Sequence, residues 1–222
     1  MTIQEELLVK KVSPFYSANM NHYHTKFHVV YMLENFDKFS KMYLKEFHYL
    51  NVVKLKTAIA WHDAGYVPGS NTNEELAADL YKDNTENPDP EIVSAILSTK
   101  ADNRVFKTDL EKVLHDLDWI CFGMQSSLWW AEKNLAREFM DRTGCSADDF
   151  YRGRLAFYKS LDTSNIFQTD TAKQLCMESA KKQVADRIEA LEEELQPMSV
   201  TDASGKEIPV SFYEHYTVVY DL

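Results

Sequence analysis

Imidazoles and carboxylates stand at three points of this chain where core residues would otherwise be expected. The first is NHYHTKFHVVYML, residues 21–33, which carries His22, His24 and His28 and then turns apolar. The second, KTAIAWHDAGY, residues 56–66, sets His62 and Asp63 at the end of an apolar run and just before a glycine. The third, DLEKVLHDLDWICFG, residues 109–123, holds Asp116 and Asp118. A buried imidazole needs partners for both ring nitrogens, and a metal ion is one way to supply them; backbone carbonyls and carboxylates are the other.

The helix period limits which of these groups can meet. His24 and His28, four apart, share a face if both are helical. His62 and Asp63 point about 100° apart on a helix, so one ion can take both only where the helix ends beside other elements. Asp116 and Asp118 lie on nearly opposite faces. With the apolar face of that helix set by Leu110, Val113, Leu114, Leu117 and Cys121, Asp118 lies about 80° from its centre and Asp116 about 120°. Asp118 is therefore the inward-leaning acid, and a solvated surface position is the commoner fate of either. Taken in order, His28, His62, Asp63 and Asp118 form an N/O donor set. It suits Mn²⁺, Fe²⁺, Co²⁺, Ni²⁺ or Mg²⁺ better than a structural zinc, which usually draws on thiolates.

The elements that must carry these groups are helical. The 222 residues include only 6 Gly and 6 Pro, and long segments repeat apolar residues every three to four positions. That pattern predicts helices at about Gln4–Val12, Tyr23–Phe36, Lys38–Tyr49, Val52–Ala64, Glu74–Lys82 and Pro90–Thr99. It continues with Asp109–Phe122, Leu128–Arg142, Ala147–Leu161 and Thr171–Leu195. Asn73 before two glutamates reads as an N-cap, Pro90 as a first helical residue and Gly144 as a C-terminal cap. The expected architecture is an all-α bundle over residues 1–196. Residues 197–222, rich in Val, Thr, Tyr and Phe, read as a short β-containing extension in which DASGK is the turn of a hairpin.

Bulk properties exclude several classes. The formal net charge of −11 argues against an extended nucleic-acid surface or an anionic-membrane surface, yet leaves room for a small anion beside a bound cation. Three cysteines, Cys121, Cys145 and Cys176, make neither a CxxC pair nor a disulfide framework, which suits a reducing compartment. MTIQEELLVKK has no apolar signal region, and no window reaches the roughly 18 apolar residues of a membrane span. The expectation is a cytoplasmic protein.

The order H…HD…D resembles the signature of the HD superfamily of metal-dependent phosphohydrolases. In particular, the chain resembles the small bacterial and phage proteins described as predicted metal-dependent HD-superfamily phosphohydrolases. Their first motif is matched by YSANMNHYHTKFHV through Tyr16, Tyr23, His24 and His28, with Asn21 where arginine is usual. Their second is matched by WHDAGYVPGSNTNEELAA through His62, Asp63, Asn73 and Glu74, with Ala77 replacing serine. AILSTKAD keeps Thr99 and puts Asp102 in a histidine slot, and DLDWICFG corresponds to their Asp-x-Asp-Leu-x-x-Leu-Gly segment. FYRGRLAFYKSLDTSNIF and ESAKKQVADRIEAL follow the later segments, so the likeness runs from Tyr16 to Leu195.

The resemblance implies an all-helical HD domain in which His28, His62, Asp63 and Asp118 hold a catalytic divalent ion. It implies hydrolysis of a nucleotide or another small phosphate ester. Glu74 becomes the candidate general base and His24 a supporting group or phosphate donor. Tyr16, Lys100 and Arg154 are candidate substrate contacts, and Asp102 a candidate ligand for a second metal. Two other classes stay open: an HD-type di-iron oxygenase, and a catalytically idle metal-binding protein that acts through protein contacts. The adjacent Trp129 and Trp130 in SSLWWAEKNL fit a core or a contact with a second copy of the chain better than a stacking platform.

Overall fold

The computed structural model of the chain describes residues 2–18, 20–100, 105–124, 127–196, 198–201 and 207–210. The architecture is all-α. In chain order the helices are α1 (Ile3–Val12), α2 (Lys26–Glu46), α3 (Val52–Trp61), α4 (Asn73–Asp83) and α5 (Pro90–Ser98). They continue with α6 (Asp109–Asp118), α7 (Ser127–Thr143), α8 (Ala147–Ser160) and α9 (Asp170–Glu194). Single turns of 3₁₀ helix, Ser13–Tyr16 and Trp119–Phe122, extend α1 and α6. Among the described residues no helix is long and apolar enough to cross a membrane.

Side-chain caps set most of the helix starts. The Thr25 hydroxyl accepts the Phe27 amide at α2, Asn51 accepts Lys54 at α3, and Asp89 accepts Glu91 at α5, where Pro90 takes the first helical position. At α6, Thr108 and Glu111 form a reciprocal capping box. α3 is the hub: it packs against α1, α2, α4, α5 and α6. Leu55, Ala58, Ile59 and Ala60 on it are wholly buried and Trp61 nearly so. The alanines let neighbouring helices approach closely, while each large aliphatic side chain buried there contributes about 1.5–3 kcal/mol.

The structure departs from the expected boundaries in four places. The two helices expected at Tyr23–Phe36 and Lys38–Tyr49 are one helix, α2. Asp37, which looks like a cap, instead accepts the Lys56 ammonium from α3 at 2.6 Å. α2 also starts later than expected, so His24 precedes the helix and does not share a face with His28. α3 ends at Trp61 rather than Ala64, with His62 as its C-cap. At α4 the capping residue is Thr72; Asn73 is the first helical residue and serves the preceding loop.

The chain turns away from α3 through Gly65, at φ +76°. Its amide donates to the Phe15 carbonyl at 3.0 Å, and a Cβ at this position would stand 2.8 Å from Leu80 Cδ1. The left-handed backbone favours glycine, and any larger residue would also have to displace the Leu80 methyl.

Asp116 is the other departure. It is fully buried although it leans away from the main apolar face of α6. The loop before α9 covers that side: the Gln168 and Thr169 amides donate to the two Asp116 carboxylate oxygens at 2.7 and 2.8 Å. Burial pushes this carboxyl up to about 7, against the pull of those amides. After α9, Met198–Thr201 and Glu207–Val210 pair as antiparallel strands β1 and β2, with Met198 opposite Val210 and Thr201 opposite Glu207. The expected hairpin turn, residues 202–206, lies outside the described residues.

Replacing Asp116 by alanine strands two amides in the interior. Asp116→Ala is expected to lower unfolding free energy by about 2–4 kcal/mol. Urea denaturation checks this: the midpoint falls while the slope is kept, and an unchanged midpoint would refute the clamp.

Candidate metal centre

Three helix segments deliver four donor atoms to one point. His28 comes from the first turn of α2, His62 and Asp63 from the unwinding end of α3, and Asp118 from the last residue of α6. His28 Nε2 lies 3.1 Å from Asp118 Oδ1 and 3.6 Å from Asp63 Oδ2. His62 Nε2 lies 2.9 Å from Asp63 Oδ2 and 3.6 Å from Asp118 Oδ1. All four ligand atoms fall within 4.8 Å of one another, so the group can hold a metal ion.

The chemistry of the donors fits that role. His62 Nδ1 donates to the Ile59 carbonyl at 2.9 Å, which turns Nε2 toward the carboxylates. There Nε2 is buried without a hydrogen-bond partner, although Asp63 Oδ2 lies 2.9 Å away. A buried nitrogen aimed at acids that it does not bond is an unmet demand, and a shared cation meets it. Bonds of about 2.1 Å put neighbouring ligands of an octahedral ion about 3 Å apart, which is the scale of the shorter separations here.

Electrostatics point the same way. Burial alone would strip the proton from His62, yet the Asp63 and Asp118 charges outweigh it and hold its pKa well above the usual value. Burial would raise Asp118, but His28 and His62 hold its carboxyl well below the usual carboxylate range. Asp63 is lowered too, against burial, by His62 and His24. The imidazoles thus hold the carboxylates ionised, a role that a cation between them would share.

Tyr16 fixes the end of α3. Its hydroxyl donates to the Ala60 carbonyl at 2.9 Å and accepts the Asp63 amide at 3.3 Å. Burial, with Asp63 adding to it, keeps the phenol protonated. Tyr16 is buried and both functions of its hydroxyl are taken by backbone, so it positions His62 and Asp63. The Tyr23 ring lies against His28, with centroids 4.8 Å apart.

Asp63 and Asp118 form part of the wall of a cavity of about 340 Å³, at the small end of the range for ligand sites. His24, Tyr66, Asn73, Glu74, Arg154 and Phe157 also line it. Burial raises the Glu74 carboxyl, and the nearby Asp63 charge adds to the rise. The Asn73 amide clamps the rim: it accepts the Val67 N–H at 2.9 Å and donates to the Val67 carbonyl at 3.0 Å.

His24 is held from the far side by α7. Its Nδ1 meets Glu138 Oε1, its ring stacks on Tyr66 with centroids 3.4 Å apart, and the residue lines the cavity. The other Glu138 oxygen accepts the backbone amides of His22, Tyr23 and His24 at 2.9–3.0 Å. Asn21, where the resemblance expects arginine, accepts the Arg142 guanidinium from α7 at 2.6 Å.

The structure therefore brings His28, His62, Asp63 and Asp118 together and sets His24, Glu74 and Arg154 on the same cavity. Lys100 is not on the cavity wall; it pairs with Glu75 at 2.9 Å. Asp102 lies outside the described residues. Trp129 and Trp130 are exposed rather than cored. Glu138 escaped the sequence-based selection, although its position on α7 carried a signal. Leu128, Ala131, Leu135 and Glu138 follow a spacing of three to four, which puts an acid on the buried stripe.

Comparison of the chain with family models, curated proteins and solved structures gives no match. The helical fold and the His/Asp cluster are compatible with an HD-type architecture.

Two measurements follow. Tyr16→Phe removes the hydroxyl that holds the Asp63 amide, and is expected to weaken divalent-ion affinity roughly tenfold while the helical circular dichroism persists. Equal affinity in isothermal calorimetry would remove Tyr16 from the centre. Glu138, held below its ordinary pKa by His24 and the loop amides against burial, contributes stability that is complete above about pH 4.5. That contribution is lost as pH falls through the depressed value. Glu138→Gln is expected to be less stable than the wild type at pH 7, with a flatter acid limb of the melting temperature; parallel pH profiles would contradict it.

Proposed function

We propose that the chain is a metal-dependent phosphohydrolase acting on a small phosphate monoester, a class that includes nucleotides. One observation carries this: four N/O donors, one of them a buried imidazole nitrogen without a hydrogen-bond partner, converge beside a cavity. Its walls carry a basic, a cationic and an imidazole group. His28, His62, Asp63 and Asp118 would hold the ion. When bound, a divalent ion supplies Lewis acidity toward a phosphoryl oxygen and acidifies water.

The chain's own residues supply the rest. Phosphoryl transfer asks chiefly for positioning and charge neutralisation. Glu74, its carboxyl made more basic by burial, takes the proton from the attacking water. His24, oriented by Glu138 and Tyr66, presents Nε2 to a phosphoryl or leaving-group oxygen. Arg154 is the cationic group on the cavity wall. The acids of the centre repel a bare phosphate, so Arg154 and the ion together set the charge balance that admits one.

Phosphate release from a panel of nucleotides and simple phosphate esters, with Mn²⁺, Co²⁺, Ni²⁺ and Mg²⁺, tests the proposal. The wild type is expected to turn over at least one ester. Asp63→Ala is expected to lose at least ~100-fold of that rate, and Glu74→Gln to lose ~10²-fold or more in kcat with little change in KM. No release by metal-loaded wild type would overturn it; iron-dependent oxygen consumption would move the chain to the oxygenase class, and metal-dependent protein capture without turnover to an interaction role.

A further inference from the structure

Beyond the metal centre, an apolar groove of about 440 Å³ runs between α7 and α8. Phe139, Thr143, Phe150 and Gly153 line it, and it shares Leu135, Phe139, Arg154 and Phe157 with the cavity that holds Asp63 and Asp118. The two spaces therefore lie along a common wall. Arg154, at that junction, lies over the Phe157 and Tyr158 rings at 4.7 Å from each and donates to the Tyr158 hydroxyl at 2.9 Å. This lays the guanidinium along the wall.

Gly153 is the independent observation. It stands in the interior of α8, where glycine weakens a helix relative to alanine. Neither backbone nor packing calls for it: its φ is not positive, and a Cβ there would meet nothing within 4 Å. Gly153 lines the groove, so the missing side chain leaves that part of its wall open.

We propose that the substrate is an amphiphilic phosphate monoester, its phosphate at the metal centre and its apolar tail extended past Arg154 into the α7–α8 groove. The headgroup assignment rests on the phosphohydrolase proposal; the tail assignment rests on the groove. Charge agrees with a lone phosphate on an uncharged tail. A chain of net charge −11 repels polyanions over long range, which favours one phosphate held at the centre with further binding energy from apolar contact.

The test is isothermal titration calorimetry of the full, metal-loaded chain with n-alkylphosphonates from ethyl to decyl, which bind without being cleaved. Affinity is expected to rise two- to fourfold per methylene until the groove is filled; the upper figure is roughly 0.8 kcal/mol per buried CH₂ converted at 1.4 kcal/mol per decade. Gly153→Leu is expected to abolish the dependence on chain length. Gly153→Ala, which places one carbon in open space, is expected to reduce it and serves if the leucine variant does not fold. Affinity independent of chain length, or a slope that survives both substitutions, overturns the proposal. So does sedimentation showing that the wild type self-associates and Gly153→Leu disperses it, since the groove would then be an interface between copies. A steep slope without hydrolysis of the matching alkyl phosphates upholds the groove and removes the phosphohydrolase. Hydrolysis with a flat slope does the reverse.

Discussion

Asp63 and Asp118 approach the same two buried imidazoles, and their negative charges cannot both persist there without positive charge between them. Much of the surrounding structure serves that condition. His62 spends its other ring nitrogen on the Ile59 carbonyl, which aims Nε2 at the acids. Tyr16 spends its hydroxyl on the backbone on either side of the same turn. Gly65 supplies the left-handed backbone that takes the chain out of α3 immediately afterwards. The Ile59 carbonyl, the Tyr16 hydroxyl and Gly65 offer no donor to the ion, yet each removes a freedom that would let His62 or Asp63 swing away.

A second layer ties the centre to the far side of the molecule. Glu138 on α7 gathers three consecutive amides and the His24 ring onto one buried carboxylate. The segment before α2 is therefore ordered by side-chain chemistry, in place of a regular ladder of backbone hydrogen bonds. Asp116 does the same for the loop before α9. In both places a buried acid satisfies backbone donors that the helices leave open, so the bundle closes around its loops as well as its apolar faces.

The helical class and most element positions were legible because apolar spacing is a property of the chain alone. The His/Asp group that could hold a metal was legible because its residue types are rare at core positions. What escaped depends on partners distant in sequence. Asp37 looks like a helix boundary until Lys56 arrives from α3 to pair with it. Asp116 looks solvated until residues 168 and 169 fold over it. The pairing of His24 with His28 by helical spacing failed because Thr25 caps the helix between them. Tyr16, grouped with substrate contacts, spends its hydroxyl on the end of α3. For Glu138, a buried-stripe position was visible, but its partners lie more than a hundred residues away.

The ends of two helices meet at the centre: α3 terminates into His62–Asp63, and α6 terminates at Asp118. A helix C-terminus carries the negative pole of the aligned peptide dipoles, equivalent to about half an elementary charge. Two such poles add to two carboxylates, and the local field attracts cations and repels anions from the same spot. The direction of the two helices thus reinforces the two acids: both make this spot one that favours a cation and disfavours an unaccompanied anion.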